Sequence, residues 1–271
     1  MLKESPLGQS SVYVETYSPE LLFPIPRTLA RNKIGMHADL PFDGVDLWSG
    51  YEISWINLNG KPEIAMAEFS FPCASPNIVE SKSFKLYLNS FNQSQFESIN
   101  HVQNAIQNDL SRASESNVIV DLFPLSHLKN RILEEFSGIC LDSFDIKTDV
   151  YEVNKDFLTA ASANIVDEVL YTNLLKSNCL ATGQPDWGSA LIHYVGPKID
   201  QEGLLKYFIS FRRHSGFAEH CVEQIFHDLL IRCRPKQLTV YGRYTRRGGL
   251  DINPFRSNFE KAPANIRQFR Q

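Results

Sequence analysis

The chain predicts an α+β fold made of two tandem copies of one unit, and three observations carry that expectation. Leu47, Tyr51, Ile53 and Trp55 fall largely on alternate positions before a turn at Asn59-Gly60-Lys61-Pro62. Such alternation marks a half-buried strand entering a hairpin. Phe84, Tyr87, Leu88 and Phe91 then recur at helical spacing. Finally, the second half echoes the first: Ser90-Phe91 returns as Ser210-Phe211, 120 residues on, and Asp109-Leu110 as Asp228-Leu229, 119 residues on. Register kept to within one residue across two elements is the signature of an internal repeat.

In order, residues 1–40 contain Pro and Ser with weak periodicity and read as an extended arm. Residues 41–155 form the first repeat. Its hairpin runs from Leu47–Asn57 into Glu63–Phe71, a first helix starts in the Glu80 block with Ser81 or Ser83 as cap, and Ile99, Val102, Ile106 and Leu110 place a second helix. Strands at Val118–Leu122 and about Ile146–Val153 complete it. Residues 156–271 form the second repeat, with strands at Ser189–Val195, Gln237–Thr245 and near Ile252.

Composition bounds the rest. With 271 residues, 43% apolar and 21% charged, the chain can bury a substantial core. Met1-Leu2-Lys3-Glu4-Ser5-Pro6 carries no apolar run with a cleavage site, and no stretch approaches the ~18 apolar residues of a span. A soluble cytoplasmic protein with no membrane partner is expected. Cys73, Cys140, Cys179, Cys221 and Cys233 are an odd set without CxxC spacing, fitting neither a disulfide framework nor a common zinc site. The net charge of −4 gives no global pull toward nucleic acid, although Arg243, Arg246 and Arg247 cluster locally. Any phosphate-bearing ligand is expected to be small and locally bound.

The chemistry points to Ser177-Asn178-Cys179-Leu180-Ala181-Thr182-Gly183-Gln184-Pro185-Asp186-Trp187-Gly188. Its Asn, Gly and Pro favour a turn, and it sets one thiol and one carboxyl seven residues apart. A thiolate is a strong nucleophile and a carboxyl can pass a proton, so the pair suits covalent catalysis on an electrophilic carbon. A buried structural thiol beside a turn-forming Asp is the competing reading.

That segment resembles the active-site stretch of the NADPH-dependent 7-cyano-7-deazaguanine reductases, the nitrile reductases of tRNA queuosine biosynthesis. Glu80-Ser81-Lys82-Ser83-Phe84-Lys85-Leu86-Tyr87 is similar to the family signature, and Tyr244-Thr245-Arg246-Arg247-Gly248-Gly249-Leu250-Asp251-Ile252-Asn253-Pro254 to a third block. The length suits the long, two-repeat form. The resemblance implies tandem tunnelling-fold repeats, each an antiparallel four-stranded sheet with two helices, and a homodimer.

It also implies the site residues. Cys179 adds to the nitrile as nucleophile to give a thioimide, Asp186 donates the proton, and two NADPH molecules in turn complete a four-electron reduction to the aminomethyl product. Substrate contacts carry over to Val79, Glu80, Ser81, Ala218 and Glu219. NADPH contacts carry over to Ser81, Lys82, Arg247 and Gly248, in place of a Rossmann or P-loop motif, neither of which the sequence contains. Unaided, Lys82 reads as a solvated lysine at a helix start, the arginines as a surface patch, and Glu219 as a first-turn helix acid. No metal is implied.

One position departs from the pattern: where the family has Phe-His-Glu, this chain has Phe217-Ala218-Glu219. His220 lies two residues on, about 200° around a helix, so it is no automatic substitute. Two other functions stay open at this level. A pterin-type cyclohydrolase on the same fold needs Cys and His metal ligands, which the Cys179 segment lacks. A tRNA-binding module has only the arginine cluster in its favour.

Overall fold

The computed structural model describes residues 13–37, 39–127, 133–180 and 182–271. The first part of the expected arm, with Met1–Pro6, and Ala181 lie outside the described residues. In chain order the strands and helices are β1 (Pro24–Pro26), α1 (Thr28–Arg31), β2 (Asp43–Ile56), β3 (Pro62–Pro72), β4 (Asn77–Val79), α2 (Ser81–Asn89), α3 (Ile99–Ser114), β5 (Ile119–Pro124), β6 (Ile139–Cys140), β7 (Ala160–Asn178), β8 (Pro185–Ile199), α4 (Gln201–Ser210), α5 (Ala218–Cys233), β9 (Gln237–Tyr244) and β10 (Leu250–Ser257). The fold is α+β with largely antiparallel pairing. Among the described residues no helix is long and apolar enough to cross a membrane.

The chain divides into two compact units. One comprises the described residues of Met1–Leu29, Asp46–Ile132 and Arg246–Asp251, the other those of Ala30–Val45, Leu133–Thr245 and Ile252–Gln271.

In the first unit β3 lies between β2 and β5. The expected β2–β3 hairpin is present, closed where Asn57 N–H donates to the Lys61 carbonyl at 2.9 Å and Gly60 N–H to the Asn57 carbonyl at 2.9 Å. Gly60 takes a φ of +78° there, a conformation open to glycine at little cost. Helix α2 packs its apolar stripe on this sheet, with the Phe84 ring 5.5 Å from Trp48 and 4.9 Å from Phe69. Its cap differs from expectation. Neither Ser81 nor Ser83 caps it; the Glu80 carboxylate accepts from Lys82 N–H and Ser83 N–H, each at 2.7 Å. A carboxylate has two oxygens to offer and complements the positive end of the helix, whereas a serine offers one. The Ser83 hydroxyl instead donates back to the Glu80 carbonyl at 2.7 Å.

In the second unit the strand order is β10-β9-β8-β7-β6. Strand β7, nineteen residues long, escapes the sequence reading. Its first half is largely exposed and opens on the small and polar run Ala160-Ala161-Ser162-Ala163-Asn164, and two bulges break its alternation. The strand expected over Ile146–Val153 is absent: these residues have no ladder, and the Tyr151 carbonyl is taken by Arg213 N–H at 3.1 Å. Buried Glu223 on α5 receives two guanidinium groups, Arg31 at 2.7 Å and Arg256 at 2.9 Å. Removing either partner of such a buried pair costs about 3–5 kcal/mol.

The sequence echo has a physical counterpart within each unit. In the first, the Tyr87 hydroxyl donates to Asp109 at 2.7 Å, and the Ser90 hydroxyl donates to the Tyr87 carbonyl at 2.6 Å. In the second, the Tyr207 hydroxyl donates to Asp228 at 2.7 Å, and the Ser210 hydroxyl to the Tyr207 carbonyl at 2.6 Å. Each serine also accepts a backbone N–H from a preceding segment, Ser18 at 3.1 Å and Asn154 at 3.1 Å. The repeated residues are therefore those that tie each helix pair together through a buried polar contact, where an unpartnered group is costly.

Candidate functional site

The first unit holds a cavity of about 470 Å³ lined by Tyr51, Glu52, Lys82, Lys85, Gly248 and Gly249 among others. Two of the expected cofactor residues, Lys82 and Gly248, meet there. Lys82 is placed by the first turn of α2, next to Ser81. Gly248 and Gly249 form the tip of a tight turn in which Arg247 N–H donates to the Leu250 carbonyl at 2.9 Å. Both glycines are left-handed, at φ +54° and +77°. A Cβ on Gly248 would lie 3.1 Å from the Lys85 side chain, and one on Gly249 would lie 2.5 Å from the Glu52 carboxylate. The turn is thus a bare-backbone cradle between a lysine and a carboxylate. Arg246 stacks 4.7 Å over the Tyr51 ring, whose hydroxyl donates to Asp251 at 2.6 Å.

Cationic lysines and open backbone suit the phosphates and ribose of a dinucleotide. The residues present fit NADPH. Lys82 and Lys85 would hold phosphate, the glycine turn would admit close approach, and Glu52 could accept from ribose hydroxyls. Sequence reasoning assigned no site role to Glu52, to Tyr51 or to Lys85 of the signature block; their convergence on the cavity marks them.

Val79 and Glu80 are buried just before α2. Val79 pairs with Pro24 across the β1–β4 contact. Burial raises the Glu80 carboxyl above its ordinary value, while its capping N–H donors and Lys85 oppose the rise.

The second unit holds the thiol segment. Strands β7 and β8 form a hairpin whose last rungs are Leu175↔Gly188, Lys176↔Trp187, Ser177↔Asp186 and Asn178↔Pro185. Cys179 follows at the turn, where its N–H donates to the Gln184 carbonyl at 2.8 Å and its carbonyl accepts Gly183 N–H at 3.0 Å. The turn expected from Asn, Gly and Pro is therefore present, and it sets Cys179 and Asp186 at one end of one hairpin. The 214–216 loop braces this end: Asn178 N–H donates to the His214 carbonyl at 2.8 Å and its carbonyl accepts Gly216 N–H at 3.1 Å.

Helix α5 brings Ala218 and Glu219 in its first turn, Glu219 being buried. Beside them lies Cys221, whose thiol is pushed up to about 12 by burial; Ser177 and Tyr244 hydroxyls oppose the rise and the Asp186 and Glu219 charges add to it. Both expected carboxylates thus act on the Cys221 thiol through their charge. Held protonated at neutral pH, it is a poor nucleophile beside the half-exposed Cys179. Lys176 lies at the same end; burial and neighbouring Arg212 lower its ammonium, and Asp186 opposes that. Ser177 and Tyr244 open two of the family-like blocks, yet no role was expected of them, because a hydroxyl in a strand carries no local mark of what it faces.

Comparison with known proteins agrees in both halves. A family model described as nitrile reductase, 7-cyano-7-deazaguanine-reductase N-terminal, matches residues 13–122, and one described as QueF-like protein matches residues 185–263. Proteins named NADPH-dependent 7-cyano-7-deazaguanine reductase are 55% identical to this chain in Burkholderia thailandensis and in Paraburkholderia phymatum, and 54% identical in Burkholderia pseudomallei. Each match covers 271 residues, 99% of this chain and 99% of the relative. With that identity over its whole length, the chain belongs to the family of NADPH-dependent 7-cyano-7-deazaguanine reductases.

Proposed function

We propose that this chain reduces the nitrile of 7-cyano-7-deazaguanine to an aminomethyl group, with Cys179 as nucleophile and Asp186 as proton donor. The observation that carries the reading is the β7–β8 hairpin, whose Ser177↔Asp186 rung and adjoining turn put thiol and carboxyl at one end. The Cys179 sulfur adds to the nitrile carbon while Asp186 gives a proton to nitrogen, forming a thioimide. NADPH, when bound, supplies hydride twice, first to the thioimide and then to the imine left once the thiol departs. Cys179 is regenerated, so two hydrides and two protons account for the four-electron change. The Glu219 carboxylate can accept two N–H bonds from the amino-pyrimidinone edge of the substrate. Val79, Glu80 and Ser81 are further proposed substrate contacts, and Ser81, Lys82, Arg247 and Gly248 the proposed cofactor contacts.

Tandem tunnelling-fold repeats over 41–155 and 156–271 are part of this reading, supported by the matched Tyr87–Asp109 and Tyr207–Asp228 bonds. A cytoplasmic homodimer is the proposed working form. Among the described residues β6 covers only Leu170 and Tyr171 of the nineteen-residue β7, and the rest of that strand's outer edge is long enough to call for a partner. Intact-protein mass spectrometry tests the chemistry. Wild-type protein mixed with the nitrile gains the mass of the substrate, and Cys179→Ala gains none while still binding it. A retained mass increment on Cys179→Ala moves the nucleophile elsewhere.

A further inference from the structure

Strand β7 changes face once before it reaches the turn. Its buried residues are Leu170 and Thr172, then Leu175 and Ser177, so the parity switches between 172 and 175. The pairing shows why. Thr172 faces Ala190 and Leu175 faces Gly188, leaving Asn173 and Leu174 opposite Ser189 alone. A bulge of this kind leaves backbone groups out of the ladder, and each needs another partner.

Two side chains from distant segments supply most of them. Asp142 accepts Asn173 N–H at 3.0 Å and the Thr172 hydroxyl at 2.5 Å. Leu174 N–H is taken by the Thr172 oxygen at 3.1 Å. On the carbonyl side, Arg270 Nη2 lies 2.8 Å from the Asn173 carbonyl, 3.0 Å from the Gly188 carbonyl and 3.2 Å from Ser189 Oγ. Arg270 therefore spans β7 and β8 at the place where their pairing shifts. Its neighbour Gln271 secures the adjoining strand: Nε2 donates to the Tyr244 carbonyl at 2.9 Å, and Tyr244 is the β9 residue paired with Gly188.

Every rung beyond the bulge, including Ser177↔Asp186, depends on that extra residue. A slip by one would send Leu175, Ser177 and the following side chains to the opposite face. We propose that Arg270, together with Asp142, is a positioning residue for the reaction, holding the β7 bulge that sets Asp186 in register beside Cys179. This rests on the reading of Asp186 as proton donor.

The test uses the full chain and single-turnover formation of the covalent adduct with 7-cyano-7-deazaguanine, in Arg270→Ala, Arg270→Lys, Asp186→Asn and the Arg270→Ala/Asp186→Asn double variant. Arg270→Ala should lower the limiting adduct rate by about 10–100-fold, the scale of a displacement near 1 Å at reacting groups, with half-saturation by the nitrile changed less than about twofold. Arg270→Lys, whose ammonium keeps the charge but ends one bond short of the Nη2 position, should recover part of the rate and provides the readout if the alanine variant does not fold. The double variant should be no slower than Asp186→Asn alone, because both changes remove one function. Adduct formation at the wild-type rate in folded Arg270→Ala or Arg270→Lys overturns the proposal, as does a double variant slowed by the product of the two single effects. If Asp186→Asn alone keeps the wild-type rate, the proton-donor reading has failed, and the positioning role falls with it.

Discussion

Replacing Gly249 by alanine probes the glycine cradle of the first unit more sharply than removing a charge. Gly249 sits at φ +77°, where a residue with a Cβ is strained by about 1–2 kcal/mol. The new Cβ would also fall 2.5 Å from Glu52 Cδ and Oε2, so that side chain must leave its rotamer at a cost of about 0.5–1.5 kcal/mol. Together these give about 2–3 kcal/mol, which the protein can meet by deforming the turn or by carrying the strain. Deforming the turn moves the backbone away from the cavity shared with Lys82 and Lys85. At about 1.4 kcal/mol per tenfold, the NADPH dissociation constant should rise by about 10-fold or more, or the melting temperature should fall by the balance. Gly248→Asn is the milder comparison, since its Cβ meets only the flexible Lys85 chain at 3.1 Å and Asn tolerates the left-handed region. Titration of NADPH and thermal unfolding on both variants read the two routes. Adduct formation, which needs no cofactor, should stay within about twofold of wild type. If Gly249→Ala binds NADPH as the parent does and unfolds at the same temperature, the cradle is not under the constraint its geometry implies.

Three further outcomes follow from the second unit. Asp186→Asn should leave nitrile affinity nearly intact and slow adduct formation by about 10²–10⁴-fold, the range for losing a general acid; stopped-flow absorbance measures it, and an unchanged rate returns Asp186 to a turn-forming role. Ala218→His, at the first position of α5, should raise NADPH turnover more than it raises adduct formation; equal turnover in the two proteins would show that another group already serves. His193 lies between Glu260 at 2.7 Å and Asp167 at 2.8 Å. Burial alone would lower its imidazole, but those two carboxylates outweigh it and raise it above the ordinary value. A raised folded value stabilises below the unfolded value of about 6.5 and the gain is lost as pH rises through the folded one. The stability difference between wild type and His193→Gln should therefore shrink as pH rises through that window, as measured by denaturant midpoints; a pH-independent difference would refute it.

What the sequence determined by itself was whatever depends on neighbours along the chain. The β2–β3 hairpin, α3 from its Ile99, Val102, Ile106 and Leu110 stripe, and the turn at Cys179 are all local patterns of period or turn chemistry, and each is where the sequence placed it. The echo of Ser90 and Asp109 in Ser210 and Asp228 was legible because Tyr87–Asp109 and Tyr207–Asp228 bonds hold corresponding residues at nearly one offset. The family was legible because its three blocks stand in the right order across both halves of the chain. Tertiary structure decided the rest. Glu80 rather than a serine caps α2, because a carboxylate reaching two N–H groups outcompetes a hydroxyl that finds a carbonyl of its own. The long strand β7 hides from a period-two reading because its bulge switches the buried face at Asn173–Leu174, and that bulge is held by Asp142 and Arg270, 31 and 97 residues away from Asn173. Convergence of Lys85, Glu52 and the Gly248–Gly249 turn on one cavity likewise joins residues far apart in the chain. Local propensity carries no information about partners at such separations; only the folded sheet, with its register set by which face is buried, brings them together.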